Sequence, residues 1–267
     1  MESRALGYFV AVAEELNFTR AAARLGMSVP PLSRAIRRLE SDLGVTLFAR
    51  SPQRVSLTPA GETLLAEGRL ALDALRAAAR RTQRTETASL ILAMKADGDA
   101  GLLDSLLTRY RADPDALPVT IRLCGWGAQP RLLLTGEADV ALVTEPFDHT
   151  GLDTEVIHRE PRVAAVASKG PLAARATLTP GDLGDPVIPD GVTDLAQLLT
   201  LIEMGRVRAA SLPSSIRARY PRPGITYVDM PDAPPATLAI AWPAMSRSRA
   251  TAALVRAAEH AALERSG

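Results

Sequence analysis

The first forty residues of the chain contain three amphipathic helix patterns joined by short turns. In the first, apolar residues recur every three or four positions from Leu6 to Leu16, which is the period of an α-helix with one buried face. We predict that Thr19 caps a second, short helix and that Gly26 ends it. Ser28 is expected to cap a third helix, which continues to about Glu40. Two helices joined by a glycine-containing turn are typical of a helix-turn-helix unit.

The third helix pattern has one apolar face and one polar face that carries arginine. Leu32, Ile36 and Leu39 fall on one side of the helix, so the opposite side is expected to be exposed. An exposed polar helix face fits the major groove of DNA, where Arg34 is able to hydrogen-bond guanine and Ser33 to reach a base or a phosphate. A face that is simply solvated is the alternative interpretation.

Two short strands and a long helix are predicted next. Segments 47–50 and 54–58 resemble strands around a turn at 51–53, which together form a small wing. Arg50 and Arg54 are candidate phosphate contacts, and Arg54 is also able to enter the minor groove.

The long helix predicted after Pro59 carries a heptad pattern. Leu65, Leu72 and Ala79 repeat at heptad spacing, with Gly68 and Leu75 between them. This spacing predicts pairing between two chains, either parallel or antiparallel.

Charge and composition agree with a DNA-binding segment in a protein without membrane spans. Residues 1–60 contain eight arginines and five acidic residues, although the net charge of the whole chain is only +1. A length of 267 residues predicts at least two domains. We expect a cytoplasmic protein, because the sequence has no signal-peptide pattern and no run of eighteen apolar residues. A single cysteine, Cys124, excludes an intramolecular disulfide and any multi-cysteine metal site.

From Ser89 onward the sequence alternates short apolar strands with helix patterns, which predicts an α/β fold. The predicted strands include 90–94, 119–123, 140–143 and 163–167. The predicted helices are 102–111, 130–136, 194–205 and 248–263.

Four separate stretches of the N-terminal segment resemble the LysR-type transcriptional regulators. They are residues 16–22 (LNFTRAA), 32–40 (LSRAIRRLE), 43–50 (LGVTLFAR) and 57–61 (LTPAG). The stretches occur in the order and at the spacing found in the family. The resemblance extends into the α/β half at residues 132–143 and 205–213.

The resemblance implies a domain plan and a set of DNA contacts. Residues 1–60 would form a winged helix-turn-helix, 61–86 a linker and dimerisation helix, and 87–267 an effector domain similar to periplasmic binding proteins. Its first α/β subdomain would comprise about 87–145 and 232–267, and its second about 146–231. The implied DNA contacts are Thr19, Arg20, Ser28, Val29, Pro30, Ser33, Arg34, Arg37, Arg50 and Arg54. Val29 departs from the family, which often has glutamine there, and valine offers only apolar contact.

The resemblance also implies partners and an effector site. The partners are double-stranded operator DNA, a second copy in a homodimer or homotetramer, RNA polymerase as a further candidate, and a small effector between the two subdomains. The implied effector contacts are Asp97, Asp99, Ala100, Gly125, Trp126, Thr144, Glu145 and Pro189. No cofactor, no metal and no catalytic residue is expected.

Two features of the effector half leave alternatives open. Asp99 is expected to cap a helix; if it instead lines the pocket together with Asp97, the effector would be neutral or cationic. Trp126 would either stack on a ring of the effector or belong to the core.

The second subdomain is shorter than is usual in the family, with the gap between Pro189 and Asp194. A regulator that works without an effector, through a degenerate cleft, is therefore the alternative function.

The contrasting function is that of an enzyme, and the sequence contains few features of an enzyme active site. His149, His158 and His260 are scattered, and Cys124 has no neighbouring base in the sequence. No phosphate-binding loop or dinucleotide-binding glycine motif is present.

Overall fold

A computed structural model describes residues 2–50, 54–83, 89–184, 189 and 191–266, with only the backbone of Arg50, Arg265 and Ser266. The chain divides into two compact units, Met1–Gln83 and Arg84–Gly267. The wing turn at 51–53, the segment 185–188 and Asp190 lie outside the described residues.

The N-terminal unit is helical apart from one small hairpin. Its elements are α1 (Ser3–Glu15), α2 (Phe18–Arg24), α3 (Val29–Leu43), β1 (Phe48–Arg50), β2 (Val55–Leu57) and α4 (Pro59–Gln83). The strands β1 and β2 pair antiparallel, with Phe48 opposite Leu57. The third helix runs three residues beyond Glu40 and ends at Gly44, whose φ of 69° is in the left-handed region that glycine tolerates.

The cap of the second helix differs from the prediction. Asn17, not Thr19, is the N-cap, and its side chain accepts hydrogen bonds from Thr19 N at 2.9 Å and Arg20 N at 3.0 Å. The helix therefore starts two residues earlier than predicted, and Thr19 lies within its first turn. Ser28 does occupy the N-cap position of α3, but its side chain makes no capping hydrogen bond.

The core of this unit forms where three helices meet the hairpin. Leu32, Ile36 and Leu39 of α3 are almost fully buried. Phe48 of β1 packs against Phe9, with 5.4 Å between the ring centroids. The predicted apolar face of α3 is thus the face that the other elements cover.

Some residues of the heptad pattern of α4 pack into the core of their own unit and are not available to pair with a second chain. Leu65 and Leu72 pack against the cluster that includes Phe9 and Leu39. Leu75, in contrast, is 55% exposed. The surface of α4 that remains available to another chain is therefore centred on Leu75, because the two other leucines are occupied within their own unit.

The C-terminal unit contains two sheets. The first is five-stranded, in the order β4-β3-β5-β10-β6, and is built from β3 (Leu90–Met94), β4 (Val119–Leu123), β5 (Val140–Thr144), β6 (Leu152–Glu160) and β10 (Ala236–Pro243). Strand β3 is parallel to β4 and β5, and β10 is antiparallel to β5 and β6. The helices α5 (Leu103–Arg111), α6 (Gln129–Leu134) and α10 (Arg249–Ser266) belong to the same half of the unit. Apolar residues on the two faces of the sheet belong to two separate core clusters.

The second sheet has three antiparallel strands in the order β8-β7-β9. They are β7 (Arg162–Ala167), β8 (Ala209–Pro213) and β9 (Ile225–Met230), accompanied by a 3-10 helix (Pro171–Ala174), α7 (Pro180–Leu183), α8 (Leu195–Glu203) and α9 (Ile216–Arg219). Alternate residues of β7 face opposite sides. Ala165 packs with α8, while Ala164 and Val166 pack with Leu178.

The first crossing between the sheets lies later than the predicted boundary at 146. Strand β6 pairs along its length with β10 in the five-stranded sheet, so the chain leaves that sheet only at Pro161. The place of β6 in this sheet depends on pairing with residues 236–243, which lie 76 to 91 positions further along the chain. A local apolar pattern does not reveal such pairing.

No helix in the described part of the chain is long and apolar enough to cross a membrane. Over the same residues, the structure contains no cluster of three or more His, Cys, Asp or Glu side chains that could hold a metal ion.

Candidate functional site

The N-terminal unit presents one exposed face of α3. Pro30, Arg34, Arg37 and Arg38 are exposed, whereas Leu32, Ile36 and Leu39 lie on the buried side. Arg38 was not among the predicted contacts, although its position one turn beyond Arg34 is a signal that could have found it. The exposed face is therefore cationic along its length.

The arginines on and near this face differ in the hydrogen bonds and ion pairs that they form within the protein. Arg34 and Arg38 make no hydrogen bond or ion pair with the residues that the structure describes. Arg37 donates long hydrogen bonds of 3.4–3.5 Å to Ser33. Arg20 is exposed but pairs with Glu15 at 3.1 Å. Arg34 thus has its full set of guanidinium donors available to a ligand.

The other predicted DNA contacts fall into three groups. Thr19 and Ser28 are exposed, and Ser33 is half-buried. Val29 packs against the N-terminal core, which limits its exposure. Arg54 is exposed, whereas the side chain of Arg50 lies outside what the structure describes.

The C-terminal unit contains a cleft of about 340 Å³ where the ends of its two sheets face each other, hereafter the cleft. Five of the predicted effector contacts line it, namely Asp97, Ala100, Trp126, Thr144 and Glu145. Gly125 lines an adjacent cavity that shares Lys95, Trp126 and Leu195 with the cleft. Pro189 is exposed and lines neither cavity.

The Trp126 side chain contacts the core, which is one of the two alternatives, and its stacking on a ring of the effector stays a prediction. It lines the cleft and also packs against the apolar cluster of the three-stranded sheet. Cys124, by contrast, lies at the adjacent cavity, where burial raises the pKa of its thiol. Its Sγ donates to the Met94 carbonyl at 3.5 Å. A thiol with a raised pKa carries little of the reactive thiolate at neutral pH.

Contacts between Asp97, Asp99 and the segment around α9 join the two halves of the C-terminal unit. Arg219 donates to Asp99 at 2.6 Å and lies 3.7 Å from Asp97. Burial raises the pKa of Asp99, but the hydrogen bond and charge of Arg219 outweigh that effect and leave the pKa below its ordinary value. Asp99 is the only buried charged residue in the described part of the chain, and it does not line the cleft. Its carboxylate also accepts from Leu103 N at 3.4 Å, at the start of α5. The N-cap position of that helix is nevertheless Leu102, and not Asp99 as expected.

Tyr220 completes this connection by donating its hydroxyl proton to Asp97. That bond and burial raise the pKa of Tyr220 to about 12, so the phenol stays protonated and remains a donor at neutral pH. Arg219 and Tyr220 were not predicted from the sequence. Both lie about 120 residues from the aspartates that they contact, and nothing in the local pattern marks them.

Three further polar residues of the cleft, Lys95, Glu160 and Arg162, were not among the predicted contacts. Lys95 directly follows β3, so its position at a strand end was a usable signal. Glu160 and Arg162 flank the crossing between β6 and β7, which the predicted boundary had placed elsewhere.

Two sequence families match the chain. The bacterial regulatory helix-turn-helix proteins of the lysR family match residues 3–62, and the LysR substrate binding domain matches residues 83–188. The chain is also similar to the HTH-type transcriptional regulator BudR of Raoultella terrigena, with 33% identity over 93% of this chain and 97% of BudR. It is also similar to the regulator AlsR of Bacillus subtilis, with 37% identity over a stretch that covers 70% of this chain and 64% of AlsR.

The fold agrees with a solved structure over nearly the whole chain. The crystal structure of CbnR, a LysR family transcriptional regulator, superposes with a TM-score of 0.56, covering 98% of this chain and 99% of CbnR at 22% identity. The two family matches and the near full-length similarity to BudR show that this chain belongs to the LysR family of transcription regulators.

Proposed function

We propose that this protein binds operator DNA through the exposed face of α3 and through the wing, and that a small effector bound in the cleft modulates its activity. The observation that carries the DNA-binding part is Arg34, an exposed arginine on a helix whose opposite side is buried and which has no partner among the described residues. Arg34 is positioned to read a guanine, and Arg54 to contact phosphates.

DNA binding is testable by replacing these two arginines separately. Arg34→Ala is expected to weaken binding to a site selected from a randomised duplex pool by about 1–3 kcal/mol, and to change a scrambled duplex much less. Arg54→Ala is expected to weaken both duplexes alike, since phosphates carry no sequence information. Fluorescence anisotropy titrations at one fixed salt concentration measure both effects.

Arg111→Ala is the matched control, because Arg111 is an exposed arginine of the other unit and makes no ion pair with described residues. It should leave both titrations unchanged. An equal loss on selected and scrambled duplexes for Arg34→Ala would exclude its base-reading role.

We also propose that α4 joins two copies of the chain in a homodimer or homotetramer. The support is an exposed stripe of apolar residues at helical spacing on α4, consisting of Ala71, Ala74, Leu75 and Ala78. This stripe replaces the predicted Leu65–Leu72 seam, which is occupied by the core of its own unit.

Introducing a charge into this stripe should separate the copies. Leu75→Glu would bury an unpaired carboxylate at the interface, which is expected to weaken self-association on the order of 100-fold. Sedimentation over a range of concentrations measures the change. Leu263→Glu, at a 70% exposed leucine of α10, is the control and should sediment as the original protein does. Unchanged association of Leu75→Glu would place the interface elsewhere.

A regulator that does not respond to an effector is the second candidate function. The observation in its favour is the small second sheet, which has three strands. The two candidates differ in one measurable respect: only a protein that binds an effector gains thermal stability in its presence by mass action.

A further inference from the structure

Glu40, in the last turn of α3, is hydrogen-bonded to the segment that leads into the wing. Its Oε1 accepts from Leu47 N at 2.9 Å and from Phe48 N at 3.2 Å. Its backbone carbonyl accepts from Val45 N at 3.2 Å. One residue of α3 thus accepts hydrogen bonds from three backbone amides of residues 45–48, hereafter the wing entry.

The two amides that the Glu40 carboxylate accepts belong to buried residues. Leu47 is 1% exposed and Phe48 is 2% exposed. A buried amide without an acceptor is costly, so removal of this carboxylate would leave two donors unsatisfied. The helix itself gains nothing from the acid, because a negative charge in the last turn is unfavourable in the field of the helix dipole. The position of Glu40 is therefore explained by its contacts with the wing entry.

The start of α4 holds the wing entry from the other side. Thr58 donates from Oγ1 to the Thr46 carbonyl at 2.7 Å and from its backbone N to the Leu47 carbonyl at 3.0 Å. The same hydroxyl accepts from Gly61 N at 3.1 Å. The wing entry is thus hydrogen-bonded to α3 on one side and to the beginning of α4 on the other.

The position of the wing entry decides where Arg54 lies. Strand β1 begins in the wing entry and pairs with β2, with Phe48 opposite Leu57. Arg54 directly precedes β2. A displacement of Phe48 relative to α3 would therefore also displace β2 and the backbone that carries Arg54.

We propose that Glu40 is a positioning residue for DNA binding, which fixes the distance between the exposed face of α3 and Arg54. This rests on the proposed DNA contacts of Arg34 and Arg54. Phosphate contacts set the register of a protein on the duplex. A phosphate contact from the wing and a base contact from α3 are made together only if the spacing between their side chains is constant.

A double-mutant cycle for DNA affinity on the full chain tests this role. Glu40→Met keeps the approximate size of the side chain and removes the carboxylate that accepts both amides. Alone, it is expected to weaken binding to the selected duplex roughly tenfold, and Arg54→Ala should then cost little more, because the wing contact is already lost. Glu40→Met and Arg34→Ala should be additive, since the face of α3 keeps its own contact.

Glu40→Gln separates the acceptor from the charge. Glutamine keeps an oxygen that accepts both amides, so this variant should bind the selected duplex within about threefold of the original protein. An acid that only repelled phosphates would behave differently, because Glu40→Gln and Glu40→Met would then tighten binding alike. Asp42→Asn is the matched control for the lost charge, since the side chain of Asp42 is exposed and makes no hydrogen bond or ion pair with described residues. Its effect should be additive with that of Arg54→Ala.

The outcomes separate the role of Glu40 from the proposed DNA contacts. If Glu40→Met and Arg54→Ala are additive, the positioning role is overturned and both DNA contacts stand. If Arg54→Ala has no effect in the original protein, the proposed wing contact fails, and the role of Glu40 fails with it. Circular dichroism shows whether Glu40→Met folds. Where it does not, Glu40→Asp, whose carboxylate is one methylene shorter, replaces it in the cycle, and additivity there has the same meaning.

Discussion

Replacement of Arg219 by alanine is expected to destabilise the C-terminal unit by about 3 kcal/mol at neutral pH. The reason is that Asp99, whose side chain is only 12% exposed, would keep its charge and lose the guanidinium 2.6 Å away. Removing one partner of a buried ion pair costs more than the pair contributes, because the remaining charge stays desolvated. Urea unfolding followed by tryptophan fluorescence measures this loss, since Trp126 and Trp242 are the only tryptophans and both belong to this unit.

The effect should depend on pH in a defined direction. In the original protein the pKa of Asp99 lies below its ordinary value of 3.8, so the stability it contributes is present above pH 3.8 and is lost as the pH falls through the lower, folded-state pKa. Without Arg219, burial is opposed only by hydrogen bonds from the backbone amides of Asp99 and Leu103, so the pKa of Asp99 is expected to rise. The variant would then be relieved of an unpaired charge as the pH falls. The difference in unfolding free energy should therefore be largest at neutral pH and shrink towards pH 4.

Arg217→Ala is the matched control on the same helix. Arg217 pairs with Asp229 at 2.6 Å, but their side chains are 48% and 65% exposed. Exposed pairs contribute roughly 0–1 kcal/mol, because solvent screens both charges. If Arg219→Ala were no more destabilising than Arg217→Ala, the contact between Arg219 and Asp99 would not hold the two halves of the unit together.

Replacement of Gly61 by alanine is expected to destabilise the N-terminal unit by about 3 kcal/mol. A Cβ at this position would lie 2.2 Å from the backbone oxygen of Leu47 and 2.9 Å from Leu57 Cδ2. The oxygen cannot rotate away as a side chain would, because Leu47 N is itself bonded to Glu40 at 2.9 Å and Leu47 O accepts from Thr58 N at 3.0 Å. The start of α4 would have to move from the wing, at a cost typical of overpacking.

Hydrogen exchange read by mass spectrometry distinguishes this effect from general unfolding. Amides of residues 2–50 and 54–83 should lose protection in Gly61→Ala, while the tryptophan-detected transition of the other unit stays unchanged. Gly7→Ala is the control, since a Cβ at Gly7 of α1 meets nothing within 4 Å and alanine favours a helix by up to about 1 kcal/mol. Equal protection in both variants would contradict the steric account.

The positions of most helices and strands follow from local patterns in this chain. Helix α3 has a regular apolar period that ends at Gly44, and strands β3 and β5 are short, continuous apolar runs. The predicted start of α2 was wrong because Asn17, and not Thr19, occupies the N-cap position. The cationic face of α3 was likewise predictable, since it is the side opposite a buried stripe.

The sequence by itself determined the helix-turn-helix, the membership of strands in an α/β unit and the arginine that faces outward from α3, because each depends on residues within a few turns of one another. Only the tertiary structure decided which acidic side chains at and beside the cleft are hydrogen-bonded within the protein. The side-chain donors to Asp97, Asp99 and Glu160 come from positions 54 to 123 residues away. Whether a charge is satisfied depends on these distant contacts, because a donor that is far away in the sequence comes within hydrogen-bond distance only when the chain is folded.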